Sequence, residues 1–220
     1  MTEKHTDITM ILDRSGSMHG MQGQVIESFN SFLAEQRDLD RPATFSLVQF
    51  NADVRSTIQT LPIDQIRDID EQDYQPDGST SLLDAIGGTI GHIRRRVKNL
   101  RNQPDVIVLV LTDGMENSST QYSLKKIRGM ITKAEERGWR FVFMAAGLDA
   151  FSQHVGLGLR KERSAQMRHT PESFRRGMHV LGRRMSVARE SGNLADMDFL
   201  KQELAYIAEQ EDKLEQEDKD

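Results

Sequence analysis

Five oxygen-bearing side chains fall where predicted strands end: Asp13, Ser15 and Ser17 in Asp13-Arg-Ser15-Gly-Ser17, Thr80 in Asp77-Gly-Ser-Thr80-Ser81, and Asp113 in Leu111-Thr-Asp113-Gly114. Two carboxylates and three hydroxyls are hard donors of the kind that hold Mg²⁺, which takes about six oxygens in near-octahedral order and keeps several waters. Such a set leaves coordination open for a further ligand. Ser15 and Ser17 alternate with Asp13, so an extended or turning backbone aims all three to one side. Singly, Asp and Ser after strands are ordinary turn and cap residues. Together they read differently, because two neighbouring aspartates repel and one pKa rises unless a cation lies between them.

The elements that must position these residues are legible as periodicities. Ile8–Leu12 and Asp105–Leu111 are short apolar runs of buried-strand length, the second the most apolar and therefore central. Thr44–Phe50 and Val54–Thr60 read as two strands joined by Asn51-Ala-Asp53, an antiparallel hairpin at one sheet edge. Arg140–Ala145 is a further buried strand, and Ser164–Arg168 a last edge strand. Amphipathic helices are predicted over about Met21–Arg37, Ser81–Leu100 and Leu124–Arg137. Gly87, Gly88 and Gly91 are poor helix formers whose presence predicts close packing on the sheet. Strand-helix alternation of this kind requires a mostly parallel, doubly wound α/β sheet with helices on both faces. In such sheets ligands bind beyond the carboxyl ends of the strands, which is where Asp13 and Asp113 arrive.

Residues 1–170 are expected to form this domain and residues 171–220 a C-terminal helical hairpin that packs on it or extends from it. Thr170-Pro171 has the form of a helix start. A stripe of Phe174, Met178, Leu181, Met185 and Ala188 follows, then a break at Ser191-Gly-Asn193 and a second helix through Met197, Leu200, Leu204 and Ile207. The first helix is rich in Arg and the second in acid, which suits an antiparallel pairing or contact between subunits, so a homo-oligomer through these helices is one expectation.

A hydrophobic fraction of 37% with 29% charged residues fits a packed core beneath a solvated surface. The net charge of −5 argues against a general nucleic-acid binder. The absence of cysteine removes disulfides and thiolate metal sites. Neither a signal-peptide pattern at Met1–Asp7 nor a run of about 20 apolar residues is present, so a cytoplasmic protein without a membrane segment is expected.

Asp13-Arg-Ser15-Gly-Ser17-Met18, Gly78-Ser-Thr80 with Leu83-Asp-Ala85, and Leu111-Thr-Asp113-Gly114 resemble the metal-ion-dependent adhesion site (MIDAS) of von Willebrand factor type A domains. The resemblance runs from about Ile8 to Met144, in the family's order, and the chain looks most like the compact bacterial or phage members. It implies a Rossmann-like fold and a bound Mg²⁺ or Mn²⁺. Ser15, Ser17 and Thr80 would be direct or near-direct ligands, with Asp13 and Asp113 partly holding water molecules by hydrogen bonds. The vacant position would accept an Asp or Glu carboxylate from a partner protein, making the chain a binding module and not a catalyst.

Two rival readings remain open at this level. A metal-assisted hydrolase or phosphoryl-transfer enzyme would use Asp13 as nucleophile or the ion to activate water, although no second acid lies two positions after Asp13. A structural assembly protein would act through its C-terminal helices. Asp77 and Glu116 read as loop residues adding negative potential. Arg94-Arg-Arg96, Lys98 and Arg101 read as a solvated face matched to a helix dipole. The six histidines show no metal-binding spacing; His19 alone lies near the proposed site, and the others, His169 included, read as ordinary surface or core residues.

Overall fold

The computed structural model describes residues 5–199 and 202–205. Strands β1 (Thr6–Asp13), β2 (Ala43–Phe50), β3 (Val54–Pro62), β4 (Asp105–Thr112), β5 (Arg140–Ala146) and β6 (Ser164–Met167) form one sheet in the order β3-β2-β1-β4-β5-β6. Every neighbouring pair is parallel except β2 with β3, so the doubly wound sheet with one antiparallel edge is realised. Helices α1 (Gln22–Arg37), α2 (Leu82–Val97), α3 (Leu124–Glu135), α4 (Leu148–Leu157) and α5 (Pro171–Ser191) cover it.

The alternation of side chains along each strand divides the core in two. Ile107, Leu109 and Leu111 of β4 join Ile8, Met10 and Leu12 of β1 beneath α1 and α5. Val106, Val108 and Val110 face the other way, onto α2, α3 and α4. A strand buried on both faces reads as a continuous apolar run, which is why β4 was legible. Chain order reverses between β1 and β4, so the crevice beyond their carboxyl ends is the switch point of the sheet.

Some expectations change. Between the predicted strands Arg140–Ala145 and Ser164–Arg168, where the sequence pattern marks no element, the chain forms α4, whose Asp149, Ser152 and Gly156 are weak helix formers; tertiary contact, not propensity, makes this helix. Gly87 packs against the Tyr122 ring and not on the sheet, since a Cβ there would lie 2.5 Å from Tyr122 Cδ1, and Gly88 has open space around it. Arg96, read as part of a solvated face, instead pairs with buried Asp7 at 2.6 Å. Arg189 turns inward from α5, its guanidinium donating to the backbone carbonyls of Gln36 and Arg41 at 2.7 Å each. Burial pushes that guanidinium down to about 10.

Helix α5 begins as its sequence predicts, with Thr170 Oγ1 accepting the Ser173 N–H and Pro171 in the first turn, and it ends at Gly192 in the left-handed region (φ 66°). The predicted second helix starts as a 3₁₀ turn, Leu194–Phe199, and is helical again at 202–205. Leu200 and Ile207 lie outside the described residues. Arg184 and Arg183 of α5 meet Glu203, and buried Arg163 bridges Glu135 (2.8 Å) and Asp198 (3.1 Å). Among the described residues no helix is long and apolar enough to cross a membrane.

Candidate metal centre

Asp13 ends β1 with no exposed surface and both carboxylate oxygens engaged. Oδ1 accepts the Ser15 N–H at 2.8 Å, and Oδ2 accepts the Thr112 hydroxyl at 2.5 Å. Those bonds bend the chain after β1, so the Ser15 and Ser17 hydroxyls meet at 3.1 Å. The Ser17 hydroxyl reaches across the switch point and donates to Asp113 Oδ1 at 2.6 Å. Thr80 is located through Gly114: a Cβ on that glycine would lie 2.7 Å from Thr80 Oγ1 and 3.5 Å from Ser15 Oγ. Gly114 is therefore the gap through which the third loop approaches the other two. All five predicted residues come together at one sheet edge.

The loops are stitched before any ion is considered. Gly16 N–H donates to Gly78 O (2.9 Å), and Asp77 N–H to Arg14 O (2.8 Å). Asn117 locks onto Thr80 in both directions, its N–H donating to Thr80 O at 3.1 Å and its Oδ1 accepting the Thr80 N–H at 2.9 Å. Buried Tyr74 donates its hydroxyl to Asp13 O at 2.6 Å. Burial, then the Asp13 and Asp113 carboxylates, holds its pKa well above the usual phenol value, so this donor keeps its proton.

Glu116, expected to add negative potential beside the pocket, is spent on structure. Its carboxylate accepts the N–H groups of Leu83, Ser118 and Ser119, so it ties the Asp113 loop to the start of α2. Asp84 does the same for the N–H groups of Thr120, Gln121 and Tyr122. Gln153 of α4 clamps the loop from the other side, receiving Glu116 N–H and donating to Gly114 O.

The residue that sequence reasoning missed is His169. Its Nε2 lies 2.6 Å from Asp113 Oδ2, on the oxygen not used by Ser17, and so it belongs to the pocket wall. His19, which sequence proximity favoured, instead approaches Pro76 O at 3.2 Å. Nothing local marks His169; it reaches the site because β6 pairs parallel with β5 and the turn into α5 emerges at the same sheet edge.

Electrostatically the pocket suits a cation. Burial, opposed by the hydrogen bonds from Thr112 and Ser15 and reinforced by Asp113, raises the Asp13 carboxyl to about 6. The Asp113 side chain is 1% exposed. Among the described residues no group of three or more His, Cys, Asp and Glu side chains is placed to hold a metal. The donors gathered here are two carboxylates with three hydroxyls, a set that matches a hard divalent ion retaining waters.

The family model of the von Willebrand factor type A domain matches residues 7–172. Manganese-loaded TRAP protein from Plasmodium vivax is similar in fold, with a TM-score of 0.53 at 18% identity, over 78% of this chain and 72% of that one. Proximal thread matrix protein 1 from the mussel byssus, solved with a zinc-occupied MIDAS motif, gives 0.58 at 16% identity, over 85% of this chain and 46% of that one. A von Willebrand factor type A protein from Catenulispora acidiphila gives 0.53 at 16% identity, over 83% and 43%. This chain thus spans less than half the length of the latter two. A search of curated protein sequences returns no match.

Proposed function

This chain belongs to the von Willebrand factor type A domain family, and on that premise we propose that it is a divalent-cation-dependent protein-binding module. Asp13, Ser15, Ser17, Thr80 and Asp113 would hold Mg²⁺ or Mn²⁺, and an Asp or Glu of a protein partner would complete the coordination. The ion supplies the positive charge that captures the partner's carboxylate. The observation that carries this reading is the convergence of three separate loops, with five oxygen side chains and one buried carboxyl raised to about 6, on the switch point of the sheet.

The chain's own residues divide the work. Ser15 N–H and Thr112 Oγ1 fix the orientation of Asp13. Asn117 fixes Thr80, while Glu116 and Gln153 hold the Asp113 loop against α2 and α4. His169 holds the outer oxygen of Asp113 and leaves Oδ1 toward Ser17. Manganese in one fold relative and zinc in another support a divalent ion at such a site. Burial of Asp13, with both oxygens engaged, speaks against its use as a nucleophile, which needs an accessible oxygen. The division at residue 170 belongs to the same proposal: residues 171–220 extend the domain, with α5 lying on α1 through Phe174, Met178, Leu181 and Met185.

The test is calorimetric titration of the chelator-treated chain with Mg²⁺ and Mn²⁺, followed by titration of the loaded chain with carboxylate-bearing peptides. Saturable binding lost in Asp113→Ala is the expected result. An unchanged isotherm in that variant ends the proposal.

A further inference from the structure

Between α2 and the side of the sheet formed by β1, β2 and β3 lies a cavity of about 180 Å³ that shares no residue with the oxygen cluster. Val48, Val54 and Ile93 give it apolar walls, and Thr9, Ser46, Thr60 and Thr89 bring hydroxyls to it. His92, exposed, stands at its rim. Among the described residues no Asp, Glu, Lys or Arg lines it.

Its hydroxyls are the unusual feature. Thr9 is 1% exposed and Thr89 5% exposed, and neither side-chain oxygen has a hydrogen-bonding partner among the described residues. They are the only buried hydroxyls in that state among those residues, and both line this one space. A buried polar group left unpaired is destabilising, and a threonine inside a helix has a ready acceptor in the carbonyl four residues back. Thr89 does not take it. A third proton is left over at the β2–β3 edge, where Gln59 and Thr60 together oppose Ser46 in a bulge. Thr60 has a left-handed φ of 46°, and its N–H donates to Ser46 Oγ at 3.1 Å. The two hydroxyls lie 3.0 Å apart, so the bond between them uses one of their protons and leaves the other without an acceptor among the described residues. Access is kept open by Gly88 of α2, which is exposed and would meet nothing within 4 Å if it carried a Cβ. No packing contact demands the poorest helix former after proline at that position.

We propose that this cavity binds a small uncharged carbonyl compound, about one ring in size, whose oxygen accepts from Thr9 and Thr89 while its hydrocarbon lies against Val48, Val54 and Ile93. Each part of that chemistry has a cause. The site holds surplus donors, so it selects an acceptor, and a carbonyl oxygen has two lone pairs to offer two threonines. An alcohol or a primary amide would bring further protons to a space already short of acceptors. A charged ligand would be buried without a counter-ion, which is costly. A cavity of about 150 Å³ takes benzene, so about seven non-hydrogen atoms fit here.

Two-dimensional ¹H–¹⁵N NMR of the full chain titrated with cyclohexanone tests this. Amide signals of Thr9, Ser46, Thr60 and Thr89 should shift together and saturate, and those of Ser15, Ser17 and Asp113 should stay still, with chelator or with Mg²⁺. Thr9→Val with Thr89→Val preserves shape and removes both hydroxyls. That chain should melt no lower than the wild type, because the lost groups have no partners, and should bind cyclohexanone more weakly on the order of tenfold. Its preference should turn to toluene, which has the same number of non-hydrogen atoms and no acceptor oxygen. Absence of saturable shifts with cyclohexanone overturns the inference, as does equal affinity in the two chains. Tighter binding of cyclohexanol than of cyclohexanone overturns the carbonyl assignment. A double variant that melts well below the wild type would show that the hydroxyls serve the fold, and it too overturns the site.

Discussion

The two ends of the sheet handle like charge in opposite ways. Beyond the carboxyl ends of β1 and β4, Asp13 is buried, the Asp113 side chain is 1% exposed, and their loops are stitched by hydrogen bonds over tens of residues. At the other end, where α2 and α3 finish, Arg94, Arg95, Lys98, Lys133 and Arg137 stand in water, with no such stitching of their side chains among the described residues. Two like charges 4 Å apart repel by about 1 kcal/mol in water and by about 4 kcal/mol at an effective dielectric of 20. Water therefore suffices for the exposed cations. Burial leaves the aspartates two remedies, a proton or a cation, and this is why the smaller cluster is the more informative one.

The comparison breaks most decisively at Asp113. Removing its carboxylate with Asp113→Ala should eliminate thermal stabilisation by Mn²⁺ or Mg²⁺. In the wild type, linkage gives about 2.7 kcal/mol at a hundredfold excess of ion over its dissociation constant and about 4.1 kcal/mol at a thousandfold excess. Differential scanning calorimetry with and without chelator measures it. Equal ion-dependent shifts in both chains would show that the aspartate pair is not where the cation acts.

The proton remedy makes a second, comparable prediction. The folded pKa of Asp13, about 6, lies above its unfolded value of 3.8, so the fold prefers the protonated form. Ion-free stability is therefore full below about pH 4 and declines as pH rises through about 6. The loss is on the order of 3 kcal/mol for a shift of about two units. Asp13→Asn keeps a neutral side chain in the same space. It should melt several degrees above the ion-free wild type at pH 7.5, match it near pH 4, and bind no divalent ion. Calorimetric melts across that range decide the point, and parallel pH profiles in the two chains would refute it.

How much of this was legible in the sequence depends on the range of the interaction involved. Asp13, Ser15 and Ser17 share one local turn, and β4 carries its apolar run on its face, so periodicity and spacing found them. Thr80 and Asp113 were placed by the rule for strand ends and by family resemblance. Glu116 and Asp84 were misjudged or passed over because an anion that cages backbone N–H groups looks, in sequence, like any acid in a loop. Arg96 looked like its neighbours Arg94 and Arg95 until the packing of α2 on β1 brought it to Asp7. The weak formers in α4 hid a helix that exists to deliver Gln153. His169 stood 56 positions from Asp113 in a short edge segment, and only the pairing of β6 with β5 joins them.

That last contact sharpens the picture of the oxygen cluster. Partners that orient a metal-binding carboxylate typically account for about 10–100-fold in metal affinity. His169→Ala should weaken Mn²⁺ binding by that order with little change in ion-free melting, because the imidazole is 46% exposed. His169→Gln, which can still donate to Asp113 Oδ2, should recover part of the loss. Calorimetric titration of the three chains reads the effect, and indistinguishable affinities would remove His169 from the site. The smallest effect belongs to the far pole. Arg94→Ala or Lys98→Ala deletes an exposed charge that has no carboxylate partner among the described residues, so stability should change by less than about 0.5 kcal/mol, and relief of repulsion makes the change slightly favourable at low salt. Denaturant midpoints at two salt concentrations check the sign. A loss above about 1 kcal/mol on either substitution would mean that these cations, like the aspartates at the other end, are held for the fold, and the contrast between the poles would collapse.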